Sequence, residues 1–212
     1  MSKRYFITGI GTNVGKTVVS AVLTEALKAD YYKPIQCGNL DSTDAEFVRD
    51  NLFNSKSKVH SSQYLFRLAA SPHIASLSEG KKIQLDSISI PTTANTLLIE
   101  GAGGILVPLN NENEFVIEIS KLHNLEIILV VDYYLGSINH TLLTIKYLVA
   151  NNYQISLIVF NGDKVESTKK VILNEIGNTP FIEIDRFEIS ADGIKEKADS
   201  IAQTLEKSLL IQ

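Results

Sequence analysis

The stretch Gly9-Ile-Gly-Thr-Asn-Val-Gly-Lys-Thr17 constrains this chain more than any other. It follows a short apolar run, Tyr5–Thr8. It leads into Val19, Val22, Leu23, Ala26 and Leu27, which recur at helical spacing. Strand, glycine-rich turn and helix in that order are the context of a phosphate loop. The glycines let the backbone curl so that several N–H groups face inward, and the helix N-terminus adds the positive end of its dipole. Lys16 supplies a cation for the β- and γ-phosphates, and Thr17 offers a hydroxyl to Mg²⁺. The stretch departs from the usual pattern at one place. The glycine expected five residues before Gly15 is Ile10, with Gly9 and Gly11 on either side. The chemistry read here is that of an enzyme using Mg·ATP.

The remaining sequence alternates strands and helices. Tyr31–Ile35, Thr96–Ile99, Ile127–Val131, Ile155–Phe160 and Phe181–Ile184 read as further strands. Ile127–Val131 is apolar throughout, as a strand buried on both faces requires. Three helical faces are expected: Phe115, Ile119 and Leu122; Ile138, Leu142, Ile145 and Val149; and Ile194, Ala198, Ile201, Ala202 and Leu205. Residues 39–93 are less regular, with one helix near Ala45–Leu52 and a second from His73. This alternation predicts an α/β fold, a P-loop NTPase-type three-layer sandwich. Its sheet is mostly parallel, with helices on both faces. With no repeat or linker evident, residues 1–212 are expected to form one domain.

A phosphate loop needs acidic partners for its metal. Glu100 ends the apolar run Leu97–Ile99 and precedes Gly101-Ala-Gly-Gly104. An acid at the C-terminal end of a strand sits on the ligand-binding edge of such a sheet. Asp132 also ends a strand, and position alone does not rank the two. Asp44, in Asp41-Ser-Thr-Asp44, reads either as a metal ligand or as a helix N-cap. Lys33, in Lys33-Pro-Ile-Gln-Cys-Gly38, lies at the same predicted edge and reads either as a surface charge or as a cation that neutralises a phosphate or a carbamate.

Composition excludes several classes. A net charge of −4 argues against a nucleic-acid binder, which would usually show a basic face, but leaves room for a local basic pocket that takes a small anion. The single cysteine, Cys37, permits no intrachain disulfide, so an oxidising compartment is not called for. The run after Ser2-Lys-Arg4 stops at Thr8 and Gly9, too short for a signal-peptide core, and no stretch approaches a membrane span. A cytoplasmic protein with neither nucleic-acid nor membrane partners is expected. The four histidines, at 60, 73, 123 and 140, lack metal-ligand spacing and are expected to be structural. Lys56–Lys58, Lys81–Lys82 and Lys169–Lys170 are expected to be solvated faces.

In combination, MSKRYFITGIGTNVGKT, YKPIQCG, TDAEF, SPHIASLSEG, IEGAGGILVPL, ILVVDYYLGSINHTLL and VFN resemble the dethiobiotin synthetase family, in its order, from Met1 to about Asn161. That family's phosphate loop also lacks the first glycine. The resemblance implies ATP-dependent closure of a ureido ring. The substrates are 7,8-diaminopelargonic acid, CO₂ and ATP, and the products dethiobiotin, ADP and phosphate. The route runs through a carbamate and a carbamic–phosphoric anhydride. It also implies Lys33, Lys16 and Thr12 as catalytic residues and Thr17, Asp44 and Glu100 as Mg²⁺ ligands. ATP would be held by Asn13, Val14, Gly15, Lys16, Thr17, Val18, Asp44, Glu100, Gly101, Ala102, Gly103 and Asn161. Substrate would meet Cys37 and Gly103 and, from the neighbouring subunit of a homodimer, Gly136, Ser137, Ile138 and Asn139. Cys37 replaces the family's usual hydroxyl residue. The acidic neighbour of the family's adenine-binding asparagine falls on Gly162, with Asp163 one place later, and the later adenine-side loop aligns poorly with Ile184–Phe187. Two rivals share the phosphate loop. A partitioning-type ATPase would carry a lysine where Gly11 stands, and a non-catalytic nucleotide-binding module would not need Lys33.

Overall fold

The computed structural model describes residues 2–210, with only the backbone described for Leu210. Met1, and the last two residues of the expected domain, lie outside the described residues. The elements run β1 (Arg4–Gly9), α1 (Lys16–Leu27), β2 (Asp30–Tyr32), β3 (Ile35–Cys37), α2 (Asp44–Asp50), β4 (Val59–His60), β5 (Tyr64–Phe66), α3 (Pro72–Ser78), β6 (Leu97–Gly104), α4 (Glu118–Leu122), β7 (Glu126–Asp132), α5 (Ser137–Ala150), β8 (Ile155–Asn161), α6 (Glu166–Ile176), β9 (Phe181–Ile184) and α7 (Ala191–Leu210).

Seven strands form one sheet in the order β4-β2-β6-β1-β7-β8-β9, parallel throughout, and β3 pairs with β5 in a separate parallel ribbon. The chain leaves β1 in one direction across the sheet, to β2, and leaves β7 in the other, to β8. Right-handed crossovers in opposite directions put their helices on opposite faces. The packing agrees, since α1 lies against α7 and α5 against α6. The α/β sandwich expected from the alternation is therefore the fold observed. At the centre, Phe6, Ile7, Leu97–Ile99, Ile127–Val131 and Leu157–Val159 are wholly buried. The reversal of strand order at β1 opens a crevice beyond the strands' C-terminal ends, where ligands bind in such sheets.

Four expectations need correction. The strand expected over Tyr31–Ile35 is two strands, β2 and β3, broken at Lys33-Pro34. Pro34 has no N–H for a ladder, and its carbonyl turns to accept from the N–H groups of Gln63 and Tyr64. The strand expected over Thr96–Ile99 continues to Gly104, because its pairing with β1 is irregular: Ile7 faces Glu100 while Gly9 faces Gly104. The face Phe115–Ile119–Leu122 does not exist as such. Phe115 precedes α4 in a bridge to Pro108, and Leu122 is exposed, so only Ile119 is core. On α5 the buried stripe is Ser137, Thr141, Thr144, Ile145 and Leu148, not the line from Ile138 to Val149. Hydroxyls can face inward here because they are satisfied within the helix, as Thr141 Oγ1 is on the Ser137 carbonyl at 2.7 Å. Leu143 and Val149 are left largely exposed. The stripe on α7 is as expected, with Ile194, Ala198, Ile201 and Leu205 buried.

Candidate active site

A cavity of about 760 Å³ lies over the C-terminal ends of β1 and β6. Its floor is the phosphate loop. Gly15 caps α1 with φ +81, a conformation only glycine adopts without strain. A Cβ there would also lie 2.2 Å from Asn161 Nδ2, whose amide donates to the Val14 carbonyl at 3.0 Å. Asn161 thus braces the loop from the end of β8. Lys16 Nζ donates to the Gly11 carbonyl at 2.8 Å. Burial lowers the Lys16 pKa to about 8, with Glu100 and Asp44 opposing that shift and Lys33 reinforcing it.

Glu100 is the electrostatic centre. It is 1% exposed. One carboxylate oxygen, Oε1, accepts from Thr17 Oγ1 and Lys33 Nζ, each at 3.0 Å. The other, Oε2, accepts from Ser20 Oγ and Tyr31 OH, each at 2.8 Å. Burial alone would raise the Glu100 pKa, but Lys33, the Ser20 hydroxyl and Lys16 outweigh it and hold the carboxyl below its ordinary value. Lys33 also pairs with Asp44. Burial opposes its charge, yet Glu100 and Asp44 together raise its pKa above the usual lysine value.

Local sequence explains these positions. Lys33 follows β2 directly and is freed from the sheet by Pro34. The alternative of Asp44 as helix cap falls away, because Thr43 is the cap. Thr43 Oγ1 accepts from the Glu46 N–H at 3.1 Å, and Glu46 Oε2 accepts from the Thr43 N–H at 2.8 Å. That capping box leaves the Asp44 carboxylate for Lys33. Gln36 spans the loop between, donating to the Gly38 carbonyl at 3.0 Å and accepting from the Asp44 N–H at 3.3 Å.

The cavity brings together Thr12, Asn13, Gly15, Lys16, Thr17, Val18, Lys33, Cys37, Asp44, Glu100, Ala102 and Gly103. Val14, Gly101 and Asn161 do not line it. Val14 and Gly101 pack beneath it, and Asn161 stands behind Gly15. Gly136, Ser137, Ile138 and Asn139 are not brought to it either. They open α5, where Gly136 caps the helix with φ +101. Asp132 lies outside the lining and accepts from its neighbour's N–H, Tyr133, at 2.7 Å, so geometry ranks Glu100 above it. Burial raises the Cys37 pKa to about 11, against a smaller opposing pull from Lys33. Each histidine has a local partner: Asp30 for His60, Ser71 for His73, the Ile88 carbonyl for His123 and Tyr134 for His140. Lys169 departs from the expected solvated face, since it is largely buried against Glu183.

Sequence reasoning missed Ser20 and Tyr31, and also Gln36 and Ser71 in the cavity wall. A signal existed for the first two. Ser20 is three residues beyond Thr17 on one helix face, and Tyr31 is two residues before Lys33, on the same side of an extended chain.

A family model described as an AAA domain matches residues 3–192. The ATP-dependent dethiobiotin synthetase BioD of Cytophaga hutchinsonii is 48% identical over 176 residues, covering 82% of this chain and 84% of that relative. The chain belongs to the dethiobiotin synthetase family. The same family name attaches to a Christiangramia forsetii relative, 46% identical over 81% of this chain and 82% of its own length. Among solved structures, a plasmid partition protein of Borrelia burgdorferi bound to AMPPNP aligns with a TM-score of 0.58 at 13% identity, covering 97% of this chain and 99% of that one. A ParA family ATPase of Chlorobium tepidum aligns at 0.53 and 16%, covering 99% of this chain and 94% of that one. At such identities the likeness carries the fold alone, and the fold is that of a P-loop ATPase. The dethiobiotin synthetase resemblance read from YKPIQCG, EGAGG and LGSINH thus agrees with the relatives. Among the described residues, no helix is long and apolar enough to cross a membrane.

Proposed function

We propose that this chain closes the ureido ring of dethiobiotin, consuming 7,8-diaminopelargonic acid, CO₂ and ATP and releasing ADP and phosphate. The observation that carries the reading is one cavity holding a phosphate loop, two acids and a second buried lysine, Lys33. In the reaction, one substrate amine and CO₂ form a carbamate, whose oxygen attacks the γ-phosphorus and expels ADP. The second amine then attacks the carbamate carbon of the mixed anhydride and expels phosphate. The protein supplies no nucleophile, so its work is positioning and charge stabilisation. Asn13 to Val18 would wrap the phosphates with backbone N–H groups, and Lys16 would leave the Gly11 carbonyl for the β- and γ-oxygens. Thr12, on the rim, would hold the carbamate.

Thr17, Asp44 and Glu100 would hold Mg²⁺. The fit is chemical: a hydroxyl and two carboxylates are hard oxygen donors, and Lys33 already places a cation between the two acids. Among the described residues no three acidic, histidine or cysteine side chains gather to bind a metal unaided. That suits an ion that takes one or two carboxylates and completes its shell with phosphate and water. Bound Mg²⁺ would neutralise charge on the transferring phosphoryl group. Lys33 would then turn from the acids toward the carbamate and the γ-phosphate.

The reading includes a homodimer. The start of α5 lies outside its own cavity, and a helix N-terminus suits the substrate carboxylate of a neighbouring subunit. Leu135, Leu143 and Val149, all exposed on or beside α5, suit a symmetric interface. Asn161 would contact adenine. A cytoplasmic location follows from the substrates. Incubation with Mg·ATP, bicarbonate and 7,8-diaminopelargonic acid should yield dethiobiotin by mass spectrometry, and no product would reject the assignment.

A further inference from the structure

The two oxygens of Glu100 have separate employment. Oε1 faces the cavity, toward Thr17 and Lys33. Oε2 faces the interior and is claimed by Ser20 on α1 and Tyr31 on β2. Both donors, like the carboxylate itself, are excluded from solvent. We infer that Ser20 and Tyr31 are positioning residues for the metal. By occupying Oε2 from two different elements they fix the carboxylate plane and leave Oε1 alone to ligate the ion. This rests on the reading of Glu100 as a metal ligand.

The physical case is one of saturation. A buried carboxylate accepts about four hydrogen bonds, and here two come from behind, in the protein interior. A carboxylate held by one donor can pivot about its Cγ–Cδ bond. Held by two from separate elements, it cannot pivot without leaving a buried hydroxyl unpaired. Tyr31 is well placed for this. Its hydroxyl is fully buried and donates to Glu100 Oε2 at 2.8 Å. Partners of this kind typically set metal affinity by 10- to 100-fold.

The test measures Mn²⁺ binding to the ADP-loaded protein by electron paramagnetic resonance, and ADP binding with and without metal by calorimetry. Tyr31→Phe and Ser20→Ala should each weaken Mn²⁺ binding by roughly tenfold or more. ADP affinity in EDTA should stay at the wild-type value. Excess metal should restore turnover, so that the apparent KM for Mg²⁺ rises while kcat holds. Ser20→Thr, which keeps the hydroxyl, should bind metal as the wild type does. Unchanged Mn²⁺ affinity in both variants would overturn the inference, as would an equal loss of ADP affinity with and without metal. Glu100→Gln separates the two layers of the argument. Intact Mn²⁺ binding in that variant would reject Glu100 as a ligand altogether. Its loss there, with Tyr31→Phe and Ser20→Ala unaffected, would reject only the positioning role.

Discussion

Replacing Lys33 by methionine exposes the tension built into this site. Methionine keeps an unbranched chain of similar length and removes only the charge. Lys33 is the cation between Glu100 and Asp44, and its side chain is 8% exposed against 1% for Glu100. Removing one partner of a buried pair typically costs about 3–5 kcal/mol, because the remaining charge is stranded. For a chain of 212 residues, each kcal/mol moves Tm by about 2–4 °C. Lys33→Met should therefore melt about 6–20 °C below wild type in EDTA. The deficit should shrink in Mg²⁺, because the ion would bind where Lys33 sat. Metal at a hundred times its Kd returns about 2.7 kcal/mol. The gap should also narrow as pH falls through and below 4.5. The depressed Glu100 pKa contributes stability above that ordinary value, and this is lost as the carboxyl protonates. Differential scanning fluorimetry across Mg²⁺ and pH suffices. A wild-type Tm in EDTA, or a deficit indifferent to Mg²⁺, would refute the exchange of Lys33 for metal.

Three further outcomes follow from the geometry. Gly15→Ala should lose nucleotide binding by calorimetry while remaining folded, since its Cβ would meet Asn161 at 2.2 Å and φ is +81; retained affinity would contradict the loop geometry. Cys37, at a pKa of about 11, should alkylate with iodoacetamide a few hundredfold more slowly at pH 8 than a free thiol of pKa about 8.5, and about tenfold faster per pH unit up to 11. If the proposed homodimer is built on α5, Leu143→Glu should shift it to monomer on analytical ultracentrifugation, with turnover falling alongside; a monomeric wild type would reject the dimer, and an unshifted dimer would remove α5 from the interface.

How much of this was legible in the sequence depended on the range of the interaction. Phe181–Ile184 matched its strand to the residue, and the phosphate loop fell where Gly15-Lys16-Thr17 put it, because both are local patterns. Pro34 was in view, yet the strand read over Tyr31–Ile35 ran through it, and the departure of β3 to pair with β5 could not be seen because pairing partners are distant in sequence. On α5 the apolar stripe misled, because the buried Thr141 hydroxyl is satisfied within the helix while Leu143 and Val149 lie outside. Glu100 and Asp132 were equivalent by position. The hydrogen bonds from Thr17, Ser20, Tyr31 and Lys33, drawn from α1, β2 and the loop after β2, distinguish them. Asp44 was ambiguous until Thr43 proved to be the cap.

In the proposed reaction ATP is spent on a carbamate of the diamine and on nothing else. The measurement is ADP release by the purified protein with Mg·ATP and bicarbonate, followed before and after addition of 7,8-diaminopelargonic acid. Little ADP should appear before addition, then one ADP and one phosphate for each dethiobiotin formed. ADP released at the same rate without the diamine, or with no dethiobiotin to match it, would contradict the account and point to a nucleotide-driven switch on the same fold.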